Sequence, residues 1–532
     1  MTANQSTPST ARTITIAALI MMGSVLLSRA MGMVRELVLA AYFGTGTASI
    51  EAYNTSFLIP EILNHLCAGG FLSVTFIPIF QRYLIKKQND LAWRSFSNIM
   101  TLGTILMLLL VGLGMVLARP ITTLLIPDDP QRLELAIIMT RIIMPAQLFF
   151  YWGAILMAVQ YAQNKFFIPA LLPLAYNAGI ILTGLALYKA FGITGFAWGV
   201  VVGALVGNVV LQVPGALRAG MRFSLRVDIR DPDLHRYVLL TVPLILGLGM
   251  SYSNEIFFRI FGTMLDKGVA ALCNYPLRTM LIVVAVFGQA AGVASYPFLS
   301  RLAAENNHTE MNRLLYTILS KLVIILIPLS VVMMISALPI MTVLFERGQF
   351  TAASSAATAP ILAIYLAGAL AFSCNAIIVR NFYAMQNTVT PMVISSIAAI
   401  ASIPAYIFFA RTWNAAGIAL AAALFMNIQG IVLYAAWYRC YPDRVAFVKL
   451  LRTALLSLVA TLPGAVICYL LQLKVNSLVA DFNPFMRGLL TLSGSAIPAI
   501  LLVVLMLHVL KLQTLQATIA ALSRRRNRKV PA

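Results

Sequence analysis

Residues Thr101–Ala118, with the sequence TLGTILMLLLVGLGMVLA, contain no charged side chain over eighteen positions. A helix of about twenty such residues crosses the hydrocarbon core of a bilayer, which is about 30 Å thick. Apolar runs of this length recur along the whole chain of 532 residues, of which 60% are hydrophobic and 10% are charged. Soluble chains average about 25% charged residues. The sequence therefore predicts an all-α polytopic membrane protein, and its continuous runs do not match the alternating pattern of a β-barrel.

The apolar runs predict about fourteen transmembrane helices. An even number places both termini on one side, and the basic segment Ser523–Lys529, SRRRNRK, predicts that this side is cytoplasmic. The predicted cytoplasmic segments carry 24 Lys and Arg residues and the opposite loops carry eight, which agrees with that orientation. The net charge of +21 is thus explained by topology and does not indicate nucleic-acid binding. The predicted spans are 14–43, 48–81, 95–118, 134–162, 168–188, 194–215, 237–264, 274–300, 314–343, 357–379, 388–410, 415–438, 453–472 and 487–508.

An internal repeat relates the two halves of the chain. Pro78–Arg82, PIFQR, matches Pro297–Arg301, PFLSR, at an offset of 219, and Gly195–Ala197 matches Gly417–Ala419 at an offset of 222. Six spans per repeat give both halves the same orientation, as in transporters built from parallel repeats around a central cavity. The predicted architecture is two parallel six-helix lobes plus two C-terminal helices. Its parts are an N-lobe (1–217), a cytoplasmic linker (218–236), a C-lobe (237–440), spans 13 and 14 (441–510) and a basic cytoplasmic tail (511–532).

Ten charged residues remain inside the predicted spans, although each costs roughly 2.5–3.5 kcal/mol at the bilayer centre. Two of them, Arg141 and Lys321, are close enough to span ends to snorkel towards the headgroups. The others are expected to face the protein interior and to have a function. The full set comprises the bases Arg29, Arg35, Arg141, Arg259, Arg278 and Lys321 and the acids Glu36, Glu51, Glu61 and Glu255.

Three of the arginines suggest a site for an anion. Arg29 and Arg35 lie six residues apart on span 1, with Gly32 between them as a candidate hinge. Arg278 lies early in span 8, and Pro276 is expected to break the helix just before it. Guanidinium binds phosphate bidentately and is desolvated more easily than ammonium. We therefore predict that the three arginines bind a phosphate or pyrophosphate in the cavity. The alternative is salt bridges within the lobes, from Arg29 to Glu51 and from Arg35 to Glu36 or Glu61.

The acids are candidates for gating or ion coupling. Glu51 and Glu61 are ten residues apart and would share one face of a continuous span 2. Glu255 and Arg259 have the i,i+4 spacing of a structural pair on span 7. A buried carboxylate can also be a proton or cation site or a latch to an arginine. The residues alone do not choose among these roles.

Signatures of an enzyme or a metal centre are missing from the sequence. We find no P-loop, H-E-x-x-H or G-x-S-x-G motif, and the five Cys and four His residues have no metal-ligand spacing. The predicted loops are too short for a catalytic domain. We therefore expect a transporter with no catalytic residues, cofactor or metal, driven by the membrane potential, by a monovalent cation or by the substrate gradient.

Several motifs together carry a family likeness. SRAMGMVRE, FGTG, IPEILNHLCAGGFLSVTFIPIF, NYPLRTM, PIMTVLFERGQFT and RNFYAMQNTVTP resemble the MurJ/MviN lipid II flippases of the multidrug/oligosaccharidyl-lipid/polysaccharide exporter superfamily. The resemblance implies translocation of an undecaprenyl-pyrophosphate-linked peptidoglycan precursor from the inner to the outer leaflet of the bacterial cytoplasmic membrane, for cell-wall synthesis. It also implies that Arg29, Arg35 and Arg278 are cavity arginines, that Glu51 is the span-2 acid, and that spans 13 and 14 line a groove for the lipid tail.

The sequence departs from the family pattern at four positions where charged residues are expected. Asn64, His65 and Gly69 occupy the span-2 positions of two arginines and an acid, and Phe258 occupies that of a span-7 acid. The latch between the lobes is therefore expected to differ. The expected partners are the glycolipid and membrane lipids, with cell-wall synthesis enzymes as candidates, and we expect a monomer.

Other functions stay open at this point. A flippase for another polyprenyl-linked oligosaccharide would use the same pyrophosphate chemistry with a different sugar pocket. A cation-coupled drug exporter should prefer cavity acids, so the excess of arginine argues against it. A membrane-embedded glycosyltransferase would need catalytic carboxylates at the outer face, and a scaffold would leave the charges within the spans without a function.

Overall fold

The structure, a computed structural model, describes residues 8–45, 47–67, 71–126, 129–163, 165–249, 253–265, 268–385 and 387–510. Over these residues the regular secondary structure is helical, and two π-helical segments, Val206–Val210 and Val284–Gln289, interrupt the α-helical pattern. The α-helices are α1 Pro8–Phe43, α2 Ala48–Ser56, α3 Leu58–Cys67, α4 Phe71–Ile85, α5 Asn89–Leu125, α6 Pro130–Ile143, α7 Ala146–Ala162, α8 Phe167–Phe191, α9 Thr194–Leu205, α10 Gln212–Arg218, α11 Pro232–Gly249, α12 Ser253–Thr263, α13 Val269–Val283, α14 Ala290–Ala304, α15 His308–Ile335, α16 Ala337–Phe345, α17 Ala352–Ala384, α18 Val389–Cys440, α19 Arg444–Leu478 and α20 Pro484–Val509.

The predicted class, an all-α polytopic membrane protein, is confirmed. Among the described residues, ten helical stretches are long and apolar enough to cross a membrane by length and composition. Eleven predicted spans lie on these ten stretches, because 388–410 and 415–438 both lie on α18, which turns at Trp413 and Asn414. The other three predicted spans fall on α1, on α2 to α4, and on α11 with α12. The helices are thus consistent with fourteen spans.

Span 2 is not the single helix that the sequence analysis assumed. It is divided into α2, α3 and α4, and the first break lies at Phe57. Pro60 has no amide N–H to donate to the carbonyl of Ser56, and the Thr140 hydroxyl donates to that carbonyl instead, at 3.3 Å. The expectation that Glu51 and Glu61 share one face of a continuous helix is therefore wrong.

By internal packing, the chain forms two compact units. The first comprises Met1–Leu39 with Thr45–Ala271, and the second comprises Ala40–Gly44 with Leu272–Ala532. α11 and α12 group with the first unit, as do α2 to α10. The predicted lobe boundaries, 1–217 and 237–440, were drawn from the sequence repeat and stay a prediction.

The backbone repeats at positions related by the two sequence offsets. Lys87 and Asn306, which are related by the first offset, both have positive φ angles, of 58° and 52°. Gly192 and Asn414, which are related by the second offset, have nearly the same φ and ψ, at 55° and −133° for Gly192 and 51° and −128° for Asn414. Because positive φ is uncommon outside glycine, these coincidences support duplication of the two halves.

Small residues bring neighbouring helices close together. In the first unit, Gly199 and Gly203 lie one turn apart on α9 and face α8, where a Cβ on either would approach backbone atoms of α8 within 2.7 Å. In the second unit, Gly464 of α19 faces Ala499 and Val503 of α20. Lipid tails are as apolar as leucine, so close backbone packing of this kind replaces the hydrophobic effect as the force that holds membrane helices together.

Candidate functional site

Arg35 lies in a polar cluster in the first unit. Its Nη2 donates to Glu36 Oε1 at 2.7 Å and its Nη1 donates to Asn177 Oδ1 of α8 at 3.3 Å. Asn177 is held in turn by donating to the carbonyl of Pro173, at 2.9 Å. The side chain of Arg35 keeps 19% of its surface exposed, and these two bonds use only two of its five N–H donors. Of the predicted partners, Glu36 is thus the acid that pairs with Arg35.

Arg29 and Gly32 lie on the same helix as Arg35. Arg29 is exposed, and no described acid is within ion-pair distance of it, so the alternative of a salt bridge to Glu51 is wrong. α1 continues without a break through Gly32, and a Cβ there would lie 3.9 Å from Asn177 Oδ1, an ordinary contact. Packing therefore leaves room for a side chain at Gly32, and its role as a hinge stays a prediction.

Glu51 forms a fully buried ion pair with an arginine that the sequence analysis placed in a loop. Arg132 Nη2 lies 3.4 Å from Glu51 Oε2 and donates to the carbonyl of Thr263 at 3.0 Å. The other oxygen of Glu51 accepts from the amide of Ala271, at 2.8 Å. Glu51 is 0% exposed and Arg132 is 3% exposed. The ion pair and its hydrogen bonds therefore connect α2, α6, the end of α12 and the start of α13 inside the protein.

The local sequence could have indicated that Arg132 is helical. Asp129 accepts a hydrogen bond from the amide of Arg132, and Pro130 occupies the first helical turn, so α6 begins before the predicted span at residue 134. An Asp–Pro pair of this kind is a strong N-terminal signal. What the signal does not give is the partner of Arg132, because Glu51 lies on α2, far away along the chain.

Glu61 pairs with Arg259. The distance from Arg259 Nη2 to Glu61 Oε1 is 3.0 Å, and Arg259 Nη1 donates to the carbonyl of Asn54 at 3.0 Å. The guanidinium also lies 5.5 Å from the ring centre of Phe57. The predicted partner of Arg259 was Glu255, whose side chain lies outside the described residues, so that pairing stays a prediction. Glu51 and Glu61 thus bind different arginines.

Arg278 lies on α13 in the second unit and is half-buried. The helix does not break at Pro276, as the sequence analysis assumed, but runs from Val269 to Val283 through the proline. Tyr275, less than one turn before Arg278, is fully buried between Phe345 and Phe350. Its hydroxyl donates to the carbonyl of Gly44 at 3.2 Å. These contacts fix the first half of the helix that carries Arg278.

The positions that depart from the family pattern are described only in part. Asn64 is half-buried on α3. Gly69 and the side chains of His65 and Phe258 lie outside the described residues. The expectation of a different latch is therefore still a prediction.

In the first unit, the three described acids of the predicted spans are each paired with an arginine. Glu36, Glu51 and Glu61 each bind a different arginine among the described residues, and Arg29 is exposed on α1. An anion that reached α1 would find the whole guanidinium of Arg29 and the remaining donors of Arg35. Phosphate oxygens are suited to both, because guanidinium groups bind them with charge-assisted hydrogen bonds.

Comparison with known protein families supports the function class that the charges and the fold predict. The model of the family described as "Lipid II flippase MurJ" matches residues 39–486. The chain belongs to the MurJ family. MurJ proteins are flippases, so the chain is a multi-pass membrane transporter and not an enzyme. The match includes Glu51 and Arg278, and begins after Arg29 and Arg35.

MurJ relatives cover most of the chain. The probable lipid II flippase MurJ of Buchnera aphidicola (subsp. Baizongia pistaciae) is 27% identical over 413 residues, which cover 77% of this chain and 80% of the relative. The lipid II flippase MurJ of Burkholderia cenocepacia is 25% identical over 422 residues, which cover 77% of this chain and 81% of the relative. The prediction of the family from sequence motifs is confirmed.

Solved structures show the same fold. The structure of a lipid II flippase MurJ in an inward closed conformation aligns with a TM-score of 0.76 at 22% identity, and the alignment covers 92% of this chain and 98% of that one. An inward-facing multidrug transporter of the MATE family, from the MOP superfamily, aligns with a TM-score of 0.64 at 13% identity over 80% of this chain and 97% of that one. The MurJ fold therefore describes this chain better than the drug-exporter fold does.

Proposed function

We propose that the chain translocates lipid II, the undecaprenyl-pyrophosphate-linked peptidoglycan precursor, from the inner to the outer leaflet of the bacterial cytoplasmic membrane by alternating access. Membership of the MurJ family carries this proposal. The arginines of α1 support it, since Arg29 is exposed and Arg35 keeps unused donors. Both can bind a pyrophosphate, and Arg278 is the third arginine that the sequence analysis assigns to this role.

The α1 cluster, which consists of Arg29, Arg35, Glu36 and Asn177, supplies a reason why the site prefers an anion. Glu36 and Asn177 hold the guanidinium of Arg35 in one orientation without enclosing it. A preorganised guanidinium loses little rotamer entropy when it binds phosphate. The α1 cluster carries two positive charges and one described negative charge. The excess favours a pyrophosphate over a cationic drug.

Coupling to the membrane potential or to a monovalent cation is part of the proposal. Moving one elementary charge across the membrane is worth about 2.3 kcal/mol per 100 mV. Glu51 and Glu61 are ion-paired in this structure, so either would have to exchange its arginine partner to bind a cation. Glu36, Glu255 and Arg259 are further candidates for coupling or gating.

The proposed setting is the cytoplasmic membrane with both termini in the cytoplasm. The protein would act as a monomer, and its spans 13 and 14, here α19 and α20, would hold the lipid tail. Cell-wall synthesis enzymes are the proposed partners, because they produce and consume this glycolipid.

The decisive experiment is complementation of a strain depleted of its own lipid II flippase, with lipid II translocation measured in the same cells. The wild-type chain should restore growth and translocation, whereas Arg29→Ala, Arg35→Ala and Arg278→Ala should each lose at least tenfold in translocation at unchanged membrane levels. Arg119→Ala is the matched control, since Arg119 forms an exposed pair with Glu134 and takes no part in the α1 cluster.

Two results would count against the proposal. Full translocation by one of the three variants would remove that arginine from the site. Failure of the wild-type chain to move lipid II, combined with transport of another polyprenyl-pyrophosphate glycan in vesicles, would establish the alternative substrate. The uncharged Asn64, at a position where the family often has a charge, is the observation that favours this alternative.

A further inference from the structure

The segment between α10 and α11 is extended and is fixed to α5 along one edge. It lies within the cytoplasmic linker that the sequence predicts at 218–236, and from here on the word linker means its residues 221–230 only. The amide of Ser224 donates to Ser97 Oγ at 3.2 Å, and that of Arg226 donates to Thr101 Oγ1 at 3.5 Å. These bonds fall on alternate residues, as they would in a strand paired with a neighbour. Polar side chains of α5 thus replace a neighbouring strand.

Asn98 makes the strongest attachment. Its Oδ1 accepts from the amide of Asp228 and its Nδ2 donates to the carbonyl of the same residue, both at 2.8 Å. Asn98 is fully buried, and its Nδ2 also lies 3.1 Å from Asp231 Oδ2. The carboxylate of Asp228 accepts from Arg226 at 3.0 Å. The position of the linker on α5 is therefore fixed by several independent bonds.

The linker displays a row of exposed apolar side chains. Successive side chains of an extended chain point to opposite faces, so residues two apart share a face. Four large apolar side chains alternate along the linker, each with between 51% and 85% of its surface exposed: Phe223, Leu225, Val227 and Ile229. Phe223, Leu225 and Val227 therefore share one face, and Ile229 follows them in the turn at residues 229–230. Four exposed apolar side chains so close together are unusual for a segment in water, because their burial would be favourable.

The position of the linker along α5 places this row near the edge of the membrane. α5 has 37 residues and is therefore about 55 Å long, well beyond a hydrocarbon core of about 30 Å. The linker is bound to α5 between residues 97 and 101, and the exposed apolar surface of α5 resumes at Ile105 and Leu106. The two surfaces are about one helical turn apart. The linker thus lies where lipid contact begins.

Basic residues accompany the apolar row. Arg222, with 77% of its side chain exposed, and Arg230, also exposed, lie at the two ends of the linker. Arg218 and Arg236, both exposed, flank it. The acids nearby are Asp90, which lies 3.3 Å from Arg222, and those that hold the linker to itself or to α4 and α5: Asp228, Asp231 and Asp233. The linker therefore combines exposed apolar side chains with basic residues at its two ends, as in elements that bind anionic lipid surfaces.

We propose that the linker binds the surface of the membrane, with Phe223, Leu225, Val227 and Ile229 inserted at the boundary between headgroups and acyl chains and with Arg222 and Arg230 on the phosphates of anionic lipids. In the proposed orientation this is the inner leaflet. The binding surface is separate from the α1 cluster and does not depend on the transported substrate. A protein strand added to the free edge of the linker is the competing occupant, and the basic residues at both ends favour lipid.

The test uses the purified full-length chain, with its five cysteines replaced, in bilayer discs. A single cysteine at Leu225→Cys carries an environment-sensitive dye, and quenching by spin-labelled lipids is compared between discs of pure phosphatidylcholine and discs that also contain phosphatidylglycerol. The matched control is Asp90→Cys, because that side chain is 92% exposed and lies about two turns of α5 before the residues that hold the linker. Its contact with the linker is the exposed pair with Arg222, and exposed pairs of this kind contribute little.

We expect lipid quenching at residue 225 to exceed that at residue 90 at least threefold, and to rise further with phosphatidylglycerol. The variant Arg222→Glu/Arg230→Glu should abolish only that further rise. Quenching by aqueous iodide at residue 225 equal to that at residue 90, in both lipid compositions, would overturn the proposal. Strong lipid quenching without any effect of phosphatidylglycerol would overturn its headgroup part. Neither outcome depends on whether the chain transports lipid II, so the two proposals fail independently.

Discussion

Glu51 and Arg132 form an ion pair that almost no water reaches. Desolvation of two charges costs several kcal/mol per ion, and the Coulomb attraction repays this cost only if further hydrogen bonds satisfy the pair. Here the amide of Ala271 and the carbonyl of Thr263 supply those bonds. Removal of one partner should therefore lower the free energy of unfolding much more than removal of both.

Arg132→Ala should lower the free energy of unfolding by about 3–5 kcal/mol, because it leaves Glu51 charged and buried without a cation. Thermal unfolding of the purified protein, followed by size-exclusion chromatography after heating, measures the change. The variant Glu51→Gln/Arg132→Gln should recover part of the loss, since neither side chain then carries a charge.

Arg119→Ala is the control for this prediction. Arg119 and Glu134 also form an ion pair, but more than half of each side chain is exposed, and such pairs contribute about 0–1 kcal/mol. Equal losses for Arg132→Ala and Arg119→Ala would refute the view that burial gives the inner pair its importance.

At the scale of the element, α18 turns at a residue with an unusual backbone conformation. Asn414 adopts a φ of 51° with a ψ of −128°, a combination that residues with a Cβ rarely adopt. The position related to it by the repeat is Gly192, which adopts almost the same angles. The turn is present in both halves, but only the first half has glycine there, which adopts these angles without strain.

Asn414→Gly should stabilise the protein by about 1 kcal/mol, because relief of strain outweighs the entropy that glycine loses on folding. Gly192→Asn should destabilise it by a similar amount. A chain of this size would then shift its midpoint by on the order of 1 °C in opposite directions for the two variants. Shifts of the same sign would show that the angle is not strained.

α1 offers a second test at this scale. Gly32→Ala is compatible with the packing and raises helix propensity by about 1 kcal/mol, so the variant should be at least as stable as the wild type. If α1 bends at Gly32 during transport, the substitution should reduce translocation severalfold in the complementation strain.

Gly23→Ala is the matched control, since Gly23 lies on the same helix and a Cβ there would meet no atom within 4 Å. Unchanged translocation by Gly32→Ala would remove the hinge from the mechanism. Equal losses for both variants would indicate a general effect of stiffening α1 and would count against a hinge at residue 32.

At the scale of the whole molecule, the orientation in the membrane determines which loops meet the cytoplasm. Green fluorescent protein fused to the C-terminus should fluoresce in cells, because it folds in the cytoplasm and not after export. Alkaline phosphatase fused after Ile126 should be active, since the loop between α5 and α6 is predicted to lie outside. Activity of a phosphatase fused to the C-terminus would reverse the proposed topology.

Hydropathy was sufficient to predict most of the fold, because a bilayer forces nearly every spanning segment to be a helix of predictable length. It did not show the break of span 2 at Phe57, since that break depends on Pro60 together with a hydroxyl from α6. It also missed the burial of Arg132, whose partner is distant along the chain. Arg29 and Arg35 were predicted from the sequence, and Glu36 was one of the two predicted partners of Arg35. The contact of Arg35 with Asn177 could not be predicted, because it depends on the packing of α8 against α1.

The attachment of the linker by Asn98 has a consequence for how the length of this segment can vary. Asn98 fixes Asp228 by both its amide and its carbonyl, so the count of residues between α10 and that point determines which side chains face outwards. Insertion of one residue before Asp228 would exchange the two faces upstream of it, whereas insertion of two would preserve them. Natural insertions and deletions in this segment should therefore change its length by an even number of residues.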